Sequence, residues 1–472
     1  MTARVAALLG LGAFTLPWWP SPWLGLLVVT ATVAGLTLVD LLLAAPLGRL
    51  ALRREGDRTS WLGTSATVTL WLRNDSRRRL HAQVRDAWTP SAGAVAAAPV
   101  ADPPTAGSPA AEPADPPPAR SSARPAAGTP ERTGGPVWQV RLTPGSAVAL
   151  PARLTPTRRG DRPAADVTVR SVGPLGLAFR QRRGRPVTPP WTLRVLPRFD
   201  SRRLLPEKVA RLRVIDGMRA TRGRGQGTEF DNLREYVVGD DVRSIDWRAS
   251  ARRADVLVRT WRPERDRRVV CVLDTGRTSA ARIGDEPRLD VTIDAALLLA
   301  ALANRAGDRV DLLAVDSAVR AAVSGTSRQL LMPRLVGALA PLRPTLAETD
   351  YELVVGEVLR RESKRALVVL CTALEPGALG DGLLPVLPQL AARHQVVVAS
   401  VQDPTLTALI DEPPRDVGDV YAAAAAWRTA GERDRIRTAL SRYGVLVLDA
   451  PPATFASRLA DLYLHLKLLG RL

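Results

Sequence analysis

The chain has 472 residues, which is enough for two or three domains with hydrophobic cores of their own. Its formal net charge of +19 would suit a nucleic-acid-binding protein, but almost all basic residues are arginines, with lysines only at Lys208, Lys364 and Lys467. This arginine bias, with abundant Ala, Gly and Pro, indicates a GC-rich genome, so no nucleic-acid partner is expected. The two cysteines, Cys271 and Cys371, lie in apolar runs, which argues against the disulfide framework of a secreted protein.

Two apolar runs open the chain, at residues 5–16 and 23–45. The second would span about 35 Å as a helix, which is enough to cross the hydrocarbon core of a membrane. The first reaches such a length only if its helix extends from Thr2 to the tryptophans of the intervening turn. The pattern predicts a transmembrane helical hairpin over residues 1–48. Asp40, near the end of the second helix, is expected to reach the membrane interface or, alternatively, to line a functional pocket.

Basic residues lie on both flanks of this hairpin, with Arg4 before it and Arg49, Arg53 and Arg54 after it. By the positive-inside rule both flanks face the cytoplasm. The hairpin is therefore expected to lie in the inner membrane, with the rest of the chain on its cytoplasmic side. A cleaved signal peptide followed by an exported protein is the alternative, but the longer second apolar run argues against cleavage.

Residues 49–200 contain short runs that alternate apolar and polar side chains, as strands with one buried face do. Val68, Leu70 and Leu72 form the first clear run, and similar runs follow near residues 80, 138, 150, 168 and 194. This spacing predicts a small β-sandwich or barrel. Residues 91–135 are dominated by Ala, Pro, Gly and Ser without periodicity, so they are expected to form a disordered insertion.

Residues 201–266 are interpreted as an Arg-rich connector followed by a charged motif. The connector, residues 201–227, ends in a glycine-rich run at residues 223–227. Such glycines can form an anion-binding nest, but a flexible connector is the favoured interpretation.

Acidic and basic residues alternate densely from residue 229 to residue 264, interleaved with aromatic and aliphatic side chains. Because charges beside buried aromatic side chains must be paired, the segment is expected to form a fixed polar network or a docking surface rather than a solvated face. The candidate partner-binding residues are Glu229, Arg234, Tyr236, Asp240, Asp241, Arg243, Asp246, Trp247 and Arg252.

From residue 267 to residue 472, apolar strands alternate with helical segments. Strands are expected at residues 269–273, 310–315, 366–371, 396–401 and 445–448, and helices at residues 289–303 and 452–469. The order predicts an α/β fold with a mostly parallel sheet covered by helices on both faces. Ligands of such sheets bind at the carboxyl ends of the strands.

The charged motif resembles a known family signature. Residues 229–252, read as EFDNLREYVVGDDVRSIDWRASAR, look like the signature of the family called domain of unknown function 58. The Arg-Arg-Gly of residues 158–160 and the Pro-Leu-Gly-Leu of residues 174–177 resemble further elements of that family. The resemblance covers nearly the whole chain except residues 91–135, and an N-terminal membrane hairpin is also usual in the family.

The resemblance implies a von Willebrand factor A-like fold for residues 267–472. In such domains a divalent ion is held by Asp-x-Ser-x-Ser after the first strand, by a Thr of a second loop and by an Asp of a third, and such oxygen ligands suit Mg²⁺. Asp274, Thr278 and Thr349 occupy metal-ligand positions here, whereas Gly276 replaces a serine and Ala373 stands in place of the third-loop acid. The site is thus degenerate, and both Mg²⁺ binding and a pairing of Asp274 with a neighbouring arginine stay open.

The resemblance further implies a membrane-anchored adaptor that binds a protein partner, such as a MoxR-type AAA+ ATPase. The sequence contains no P-loop, no recognisable His-based triad and no Gly-x-Ser-x-Gly elbow, so no enzymatic activity is expected. A structural scaffold for cell-envelope assembly is one alternative. A hydrolase that uses Asp240, Asp241 and Asp246 as paired acids is another, although neighbouring arginines would keep these acids ionised.

Overall fold

The computed structural model describes the chain except for residues 1–2, 98–121, 126–134, 185–187, 223–228, 238–239, 253–254, 263–266 and 326. The chain forms two compact units, Met1–Leu196 and Pro197–Leu472. The first unit combines the N-terminal helices with the β-rich segment. The second combines the expected connector and charged motif with the α/β segment.

Two apolar helices open the first unit, α1 (Ala3–Ala13) and α2 (Pro22–Leu43). The prolines between them separate the helices, and the Ser21 hydroxyl accepts a hydrogen bond from the N–H of Leu24 at the start of α2. α1 ends at Ala13, and a 3-10 turn over Leu16–Trp18 follows it, so the shorter apolar helical segment runs over Ala3–Trp18 and ends at the tryptophans. As a helix this segment would span about 24 Å, somewhat less than the ~30 Å hydrocarbon core. Within the described residues, one helical segment, Pro22–Arg49, is long and apolar enough to cross a membrane.

The strands of the first unit form two sheets. Their bounds are β1 (Leu50–Gly56), β2 (Thr59–Trp61), β3 (Ala66–Asn74), β4 (Leu80–Trp88), β5 (Ala94–Ala96), β6 (Ser122–Pro125), β7 (Val137–Leu142), β8 (Ala147–Leu154), β9 (Gly160–Val172), β10 (Phe179–Arg183) and β11 (Thr192–Leu196). One sheet has the order β1-β3-β8-β5, and the other has the order β2-β11-β9-β4-β7-β6 with β10 paired to β9. The pairs are antiparallel except for β2 with β11.

Alternating side chains of these strands form the core of the unit. Val68, Leu70 and Leu72 are buried, while the residues between them are half-buried or exposed. Leu70 joins Leu150 of β8 and Val169 of β9 in one buried cluster, so the two sheets pack face to face. The predicted alternation is confirmed, and the arrangement is sandwich-like.

Two short strands lie inside the segment 91–135 that the sequence predicts to be disordered. β5 pairs with β8 and β6 pairs with β7, so the described parts of this segment add edge strands to both sheets. The absence of hydrophobic periodicity concealed these strands, because an edge strand of three or four residues buries few side chains. The rest of the predicted insertion, residues 98–121 and 126–134, lies outside the described residues.

The second unit begins with α3 (Leu205–Arg222) and a hairpin made of β12 (Glu229–Glu235) and β13 (Leu257–Arg262), with the short helix α4 (Trp247–Ser250) in its loop. The bounds of the other elements are β14 (Arg268–Asp274), β15 (Arg282–Ile283), β16 (Glu286–Pro287), α5 (Arg288–Arg305), β17 (Arg309–Val315), β18 (Val319–Val323), α6 (Arg328–Leu339), α7 (Tyr351–Arg361), β19 (Leu367–Cys371), α8 (Leu384–Ala391), β20 (Gln395–Val401), α9 (Pro404–Asp411), α10 (Val417–Arg442), β21 (Leu446–Ala450) and α11 (Pro452–Leu469).

A six-stranded sheet with the order β18-β17-β14-β19-β20-β21 organises this unit. Its strands are parallel except for β18, which lies antiparallel to β17 at the edge. α7 and α8 join the strands in one buried cluster, α5 and α11 contact the sheet and each other, and β14 is buried along its length. The predicted α/β architecture is confirmed, and the strand order reverses at β14, where doubly wound sheets bind ligands beyond the strand ends.

The connector expected at residues 201–227 is helical as far as Arg222. Lys208, Leu212 and Ile215 of α3 are buried, and their spacing places them on one face of the helix. The ammonium group of Lys208 lies 2.9 Å from both carboxylate oxygens of Asp461 in α11. The many arginines on α3 concealed this narrow buried stripe. The glycine run at residues 223–227 lies outside the described residues.

Candidate functional site

Asp274 ends β14 at the carboxyl edge of the sheet, where the strand order reverses. Its carboxylate is buried, and both oxygens accept hydrogen bonds. Oδ1 accepts from the N–H of Gly276 at 2.8 Å and from the hydroxyl of Thr349 at 2.5 Å. Oδ2 accepts from the hydroxyls of Thr278 at 3.1 Å and Thr372 at 2.6 Å. The structure therefore brings together Asp274, Thr278 and Thr349, the three residues selected from the sequence, and adds Thr372.

Tyr351 extends this network into the core. Tyr351 is the first residue of α7, and its hydroxyl lies 2.9 Å from the hydroxyl of Thr372. Burial, helped by the negative charge of Asp274, raises the pKa of Tyr351, so the phenol stays protonated. Sequence reasoning missed Thr372, although its place directly after β19 was the signal that could have found it.

The gathered residues do not fit a Mg²⁺ site. Mg²⁺ prefers carboxylate and water oxygens in octahedral geometry, but Asp274 is the single carboxylate in this network and hydrogen-bond donors occupy both of its oxygens. A side chain at Gly276 has no room, because a Cβ there would lie 2.2 Å from the Thr349 hydroxyl. In the described part of the chain, no group of three or more His, Cys, Asp or Glu side chains is arranged to hold a metal ion.

Arginines and glutamates surround the network. Glu375, two residues after the position of the missing third-loop acid, lies 3.5 Å from Arg277 and 3.6 Å from the largely buried Arg288. Arg277 also donates to Glu348 at 2.7 Å. The expected alternative was a pairing of Asp274 with Arg277 or Arg282. Arg277 instead binds these glutamates, and Arg282 donates to the carbonyl oxygen of Asp285.

A second buried carboxylate, Asp316, follows β17 at the same edge. It accepts hydrogen bonds from Arg320 at 2.7 Å and from the hydroxyls of Thr345 at 3.0 Å and Thr275 at 3.1 Å. Burial disfavours its ionised form, but the hydrogen bonds from Arg320, Thr345 and Thr275 outweigh burial and lower the pKa of Asp316 to about 2. Asp316 is therefore an ionised anchor for the neighbouring loops at neutral pH, and the sequence interpretation did not include it.

The charged motif folds as the hairpin of β12 and β13 with the intervening loop against it. Arg234 pairs with Asp240 at 2.5 Å. Asp241 accepts the N–H of Arg243 at 3.0 Å at the start of a short 3-10 turn. Arg234, Asp240 and Asp241 thus form local contacts that fix the loop between β12 and β13. The side chain of Glu229 and residue 264 lie outside the described part.

Asp246 binds both the start of α4 and an arginine of β13. It caps α4 by accepting the N–H groups of Ala249 at 3.0 Å and Arg248 at 3.1 Å, and it pairs with Arg259 at 2.8 Å. The hydrogen bond from Ala249 and then the contact with Arg259 lower the pKa of Asp246. Asp246 is thus ionised, with local partners different from those of Asp240.

Several apolar side chains of the motif are exposed, among them the aromatic side chains of Tyr236 and Trp247, for which the sequence predicts burial. Trp247 is 65% exposed, Val237 and Val242 are each 60% exposed, and Tyr236 is 36% exposed. We refer to these four residues as the hairpin apolar surface. The candidate residues Arg243 and Arg252 are also exposed. The motif therefore combines a fixed polar frame with solvent-facing apolar side chains.

Comparison with known proteins gives a family match for part of the chain. Residues 232–443 match the family described as "Protein of unknown function DUF58". Over 204 residues, 42% of this chain, the sequence is 28% identical to uncharacterized proteins of Mycobacterium bovis and Mycobacterium tuberculosis. The aligned region spans 60% of the length of these curated relatives.

Solved structures give weaker matches. A cohesin module from a Clostridium perfringens family 33 glycoside hydrolase aligns over 32% of this chain and 96% of its own, with 8% identity and a TM-score of 0.19. A GH20 exo-β-N-acetylglucosaminidase from Vibrio harveyi aligns over 85% of this chain and 75% of its own, with 10% identity and a TM-score of 0.20. Scores this low carry no argument about the fold. Residues 232–443 are therefore similar to the DUF58 family, in agreement with the motif read at residues 229–252.

Proposed function

We propose that this chain is a membrane-anchored adaptor that binds a protein partner through the hairpin apolar surface. The exposure of Trp247, together with that of Val237 and Val242 in the same motif, is the observation that carries the proposal. Exposed apolar side chains rimmed by polar groups mark protein interfaces, and tryptophan is enriched among the residues that dominate binding. The pairs Arg234–Asp240 and Asp246–Arg259 hold the loop in shape before binding, which lowers the entropy cost of association.

The anchor is proposed to be a hairpin of α1 and α2 in the inner membrane. Support comes from the length and apolarity of α2 and from the packing of Val5 in α1 near Val33 in α2. Trp18, between the helices, is exposed, as an interfacial tryptophan would be. Arg4 and Arg49 on the outer flanks favour a cytoplasmic location for both units by the positive-inside rule.

The second unit is proposed to be von Willebrand factor A-like and to work without a bound metal. Its strand order, with an antiparallel edge strand, and the meeting of Asp274, Thr278 and Thr349 at the carboxyl edge support the likeness. The occupied oxygens of Asp274 and the lack of space at Gly276 favour a hydrogen-bonded network instead of a metal site. In this proposal the network fixes the shape of the sheet edge.

The proposed partner is a MoxR-type AAA+ ATPase, as the family resemblance implies. The ATPase supplies the energy of nucleotide hydrolysis, and this chain places the ATPase or its client at the membrane. A fixed hairpin with an exposed tryptophan suits the recognition of another folded protein, because it offers a preformed surface.

Binding of the ATPase to the full chain in lipid nanodiscs tests this function. Trp247→Ala should weaken binding at least about tenfold, the loss expected when an interface tryptophan is truncated. Trp427→Ala is the matched control, since Trp427 of α10 is similarly exposed, at 62%. Removal of Mg²⁺ by EDTA, without nucleotide, should leave the affinity unchanged. An intact chain that does not bind the ATPase with or without Mg²⁺, or an equal loss in both variants, would contradict the adaptor.

A structural scaffold is the second candidate, and α10 carries the observation that favours it. Val417, Val420, Tyr421 and Trp427 are all more than half exposed and lie on one side of the first turns of this helix. Such a stripe suits self-association. Sedimentation of the full chain in detergent would then show an oligomer that Trp427→Ala dissociates and Trp247→Ala does not. A hydrolase has less support, because Asp240, Asp241 and Asp246 have separate local partners.

A further inference from the structure

Asp40 joins the C-terminal end of α2 to the loop between β9 and β10. Its side chain is fully buried. Oδ1 accepts the N–H of Leu175 at 2.7 Å, and Oδ2 accepts the N–H groups of Leu177 at 2.7 Å and Ala178 at 2.8 Å. Gly173 packs so closely that a Cβ there would lie 2.3 Å from Oδ1. The loop, which contains the Pro-Leu-Gly-Leu element, is therefore fixed against the end of the apolar helix.

Four arginines surround this junction, and we call them the arginine collar: Arg4, Arg78, Arg180 and Arg182. Arg180 donates through Nε to the carbonyl oxygen of Leu41 at 3.1 Å, Arg78 donates to that of Leu42, and Arg182 donates to that of Leu47 at 3.4 Å.

Arg4, at the start of α1, donates to the carbonyl oxygen of Leu175 in the same loop at 3.2 Å. Each collar arginine thus donates to a carbonyl oxygen at the end of α2, just beyond it, or in the loop held there. A guanidinium group has five N–H donors, so one bond to a carbonyl leaves donors for a further acceptor.

The surroundings of the collar are apolar on one side and positive on the other. Leu38, Val39, Leu42 and Leu43 of α2 are 49 to 57% exposed, which gives an apolar surface directly before the collar. Arg49 follows α2, and Arg77 and Arg79 flank Arg78 in its turn. The arginines outnumber the acids nearest in sequence, because Asp40 carries at most one negative charge and Asp75 pairs with Arg73.

We propose that the arginine collar binds the phosphate groups of anionic phospholipids in the leaflet from which α2 emerges. The proposal rests on the proposed role of α2 as a membrane span. An apolar helix surface followed at once by guanidinium groups matches the boundary between acyl chains and headgroups, and guanidinium forks bind phosphate oxygens in pairs. Asp40 fixes the loop between β9 and β10. Arg4 contacts this loop and Arg180 follows it, so the collar is preformed. In this proposal the first unit both spans the membrane and binds its anionic phospholipids.

Native mass spectrometry of the full chain in detergent, titrated with phosphatidylglycerol or phosphatidylcholine, tests the collar. The intact chain should bind phosphatidylglycerol more tightly than phosphatidylcholine. The triple variant Arg78→Gln, Arg180→Gln and Arg182→Gln should lose about a hundredfold in apparent affinity for phosphatidylglycerol, since each cationic residue contributes roughly fivefold. The control variant Arg141→Gln, Arg153→Gln and Arg194→Gln removes three other arginines of the same unit and should retain the preference.

The outcomes separate this proposal from its foundation. If the intact chain binds the two lipids with equal affinity, the lipid-binding proposal is wrong, whether or not the triple variant folds. The proposal is also wrong if the control variant loses as much affinity for phosphatidylglycerol as the triple variant does. Failure of the chain to co-sediment with vesicles of phosphatidylcholine after alkaline extraction would instead contradict the membrane span itself.

Discussion

Threonine hydroxyl groups surround the buried carboxylate of Asp274, in the place where the family resemblance implies a cation. Thr278, Thr349 and Thr372 each donate to it, and the N–H of Gly276 adds a further hydrogen bond. A buried carboxylate needs such donors, because burial without them costs several kcal/mol. At the scale of single residues, the chain therefore stabilises this anion with neutral hydrogen bonds.

Thr372→Val should destabilise the second unit by about 1–3 kcal/mol. Valine has the shape of threonine, but it would leave Oδ2 of Asp274 and the hydroxyl of Tyr351 without the hydroxyl between them. Chemical denaturation of the full chain in detergent measures the loss. Thr438→Val on the exposed surface of α10 is the control and should change stability by less than about 0.5 kcal/mol. Equal effects would show that the network contributes nothing specific.

His394 should make the second unit less stable in mild acid. Its ring is buried, and neither nitrogen has a hydrogen-bond partner within the described structure. Burial lowers the pKa of His394 below 6.5, although nearby Glu362 opposes the shift and Arg393 adds to it. The unfolded chain therefore binds the proton more readily, so stability is complete above about pH 6.5 and falls as pH drops through the folded-state pKa.

Denaturation near pH 7 and near pH 5 compares the intact chain with His394→Leu. The intact chain should lose more of its free energy of unfolding in acid than the variant does. The same acid loss in both proteins would remove His394 as its cause.

Among the elements, the C-terminal helix α11 is held by a buried ion pair. The ammonium group of Lys467 lies 2.8 Å from Oδ1 and 3.0 Å from Oδ2 of Asp308, directly before β17, and the hydroxyl of Tyr463 also donates to Oδ2. Lys467 and Asp308 are both buried. Periodicity correctly predicts α11, with the observed bounds Pro452–Leu469, but it does not predict that a lysine lies on its buried face.

Lys467→Met should destabilise the second unit by about 3–5 kcal/mol, because it leaves the carboxylate of Asp308 buried without its cation. The double variant Lys467→Met with Asp308→Leu removes both charges and should recover most of that loss. Denaturant titration of both variants measures the difference. A double variant no more stable than the single one would show that packing, not the unpaired charge, is responsible.

For the whole molecule, the division into two compact units predicts that a destabilising substitution in one unit leaves the stability of the other unchanged. Asp40→Asn places an amide where three backbone N–H groups need an acceptor, which should cost about 3 kcal/mol in the first unit. Hydrogen exchange should rise in strands of the first unit and stay unchanged in the six-stranded sheet of the second. Asp166→Asn, at an exposed pair with Arg183, is the control and should change neither. Increased exchange in both units would contradict their independence.

The sequence by itself determined the elements whose burial follows a regular period. The alternation of Val68, Leu70 and Leu72 predicted a strand with one buried face, and continuous apolar runs placed β14 and β19 in a covered sheet. These elements follow from local geometry, because side-chain direction repeats every second residue in a strand and about every 3.6 residues in a helix. α3 was missed, since its buried stripe is narrow and includes Lys208.

Only the tertiary structure decided what the polar residues do. The sequence predicts that Asp40 reaches a membrane interface or lines a pocket, yet Asp40 binds the backbone of a loop 135 residues away in sequence. The aromatic Trp247 is exposed although its interleaving with charged residues predicts burial. Thr372, directly after β19, joins the Asp274 network from 98 residues away. Hydrogen-bond partners of buried polar groups are set by chain crossings far apart in sequence, which a local pattern does not encode. The family resemblance alone implied that Asp274 and Thr349 lie at one sheet edge, and the fold decided that they form a hydrogen bond with each other.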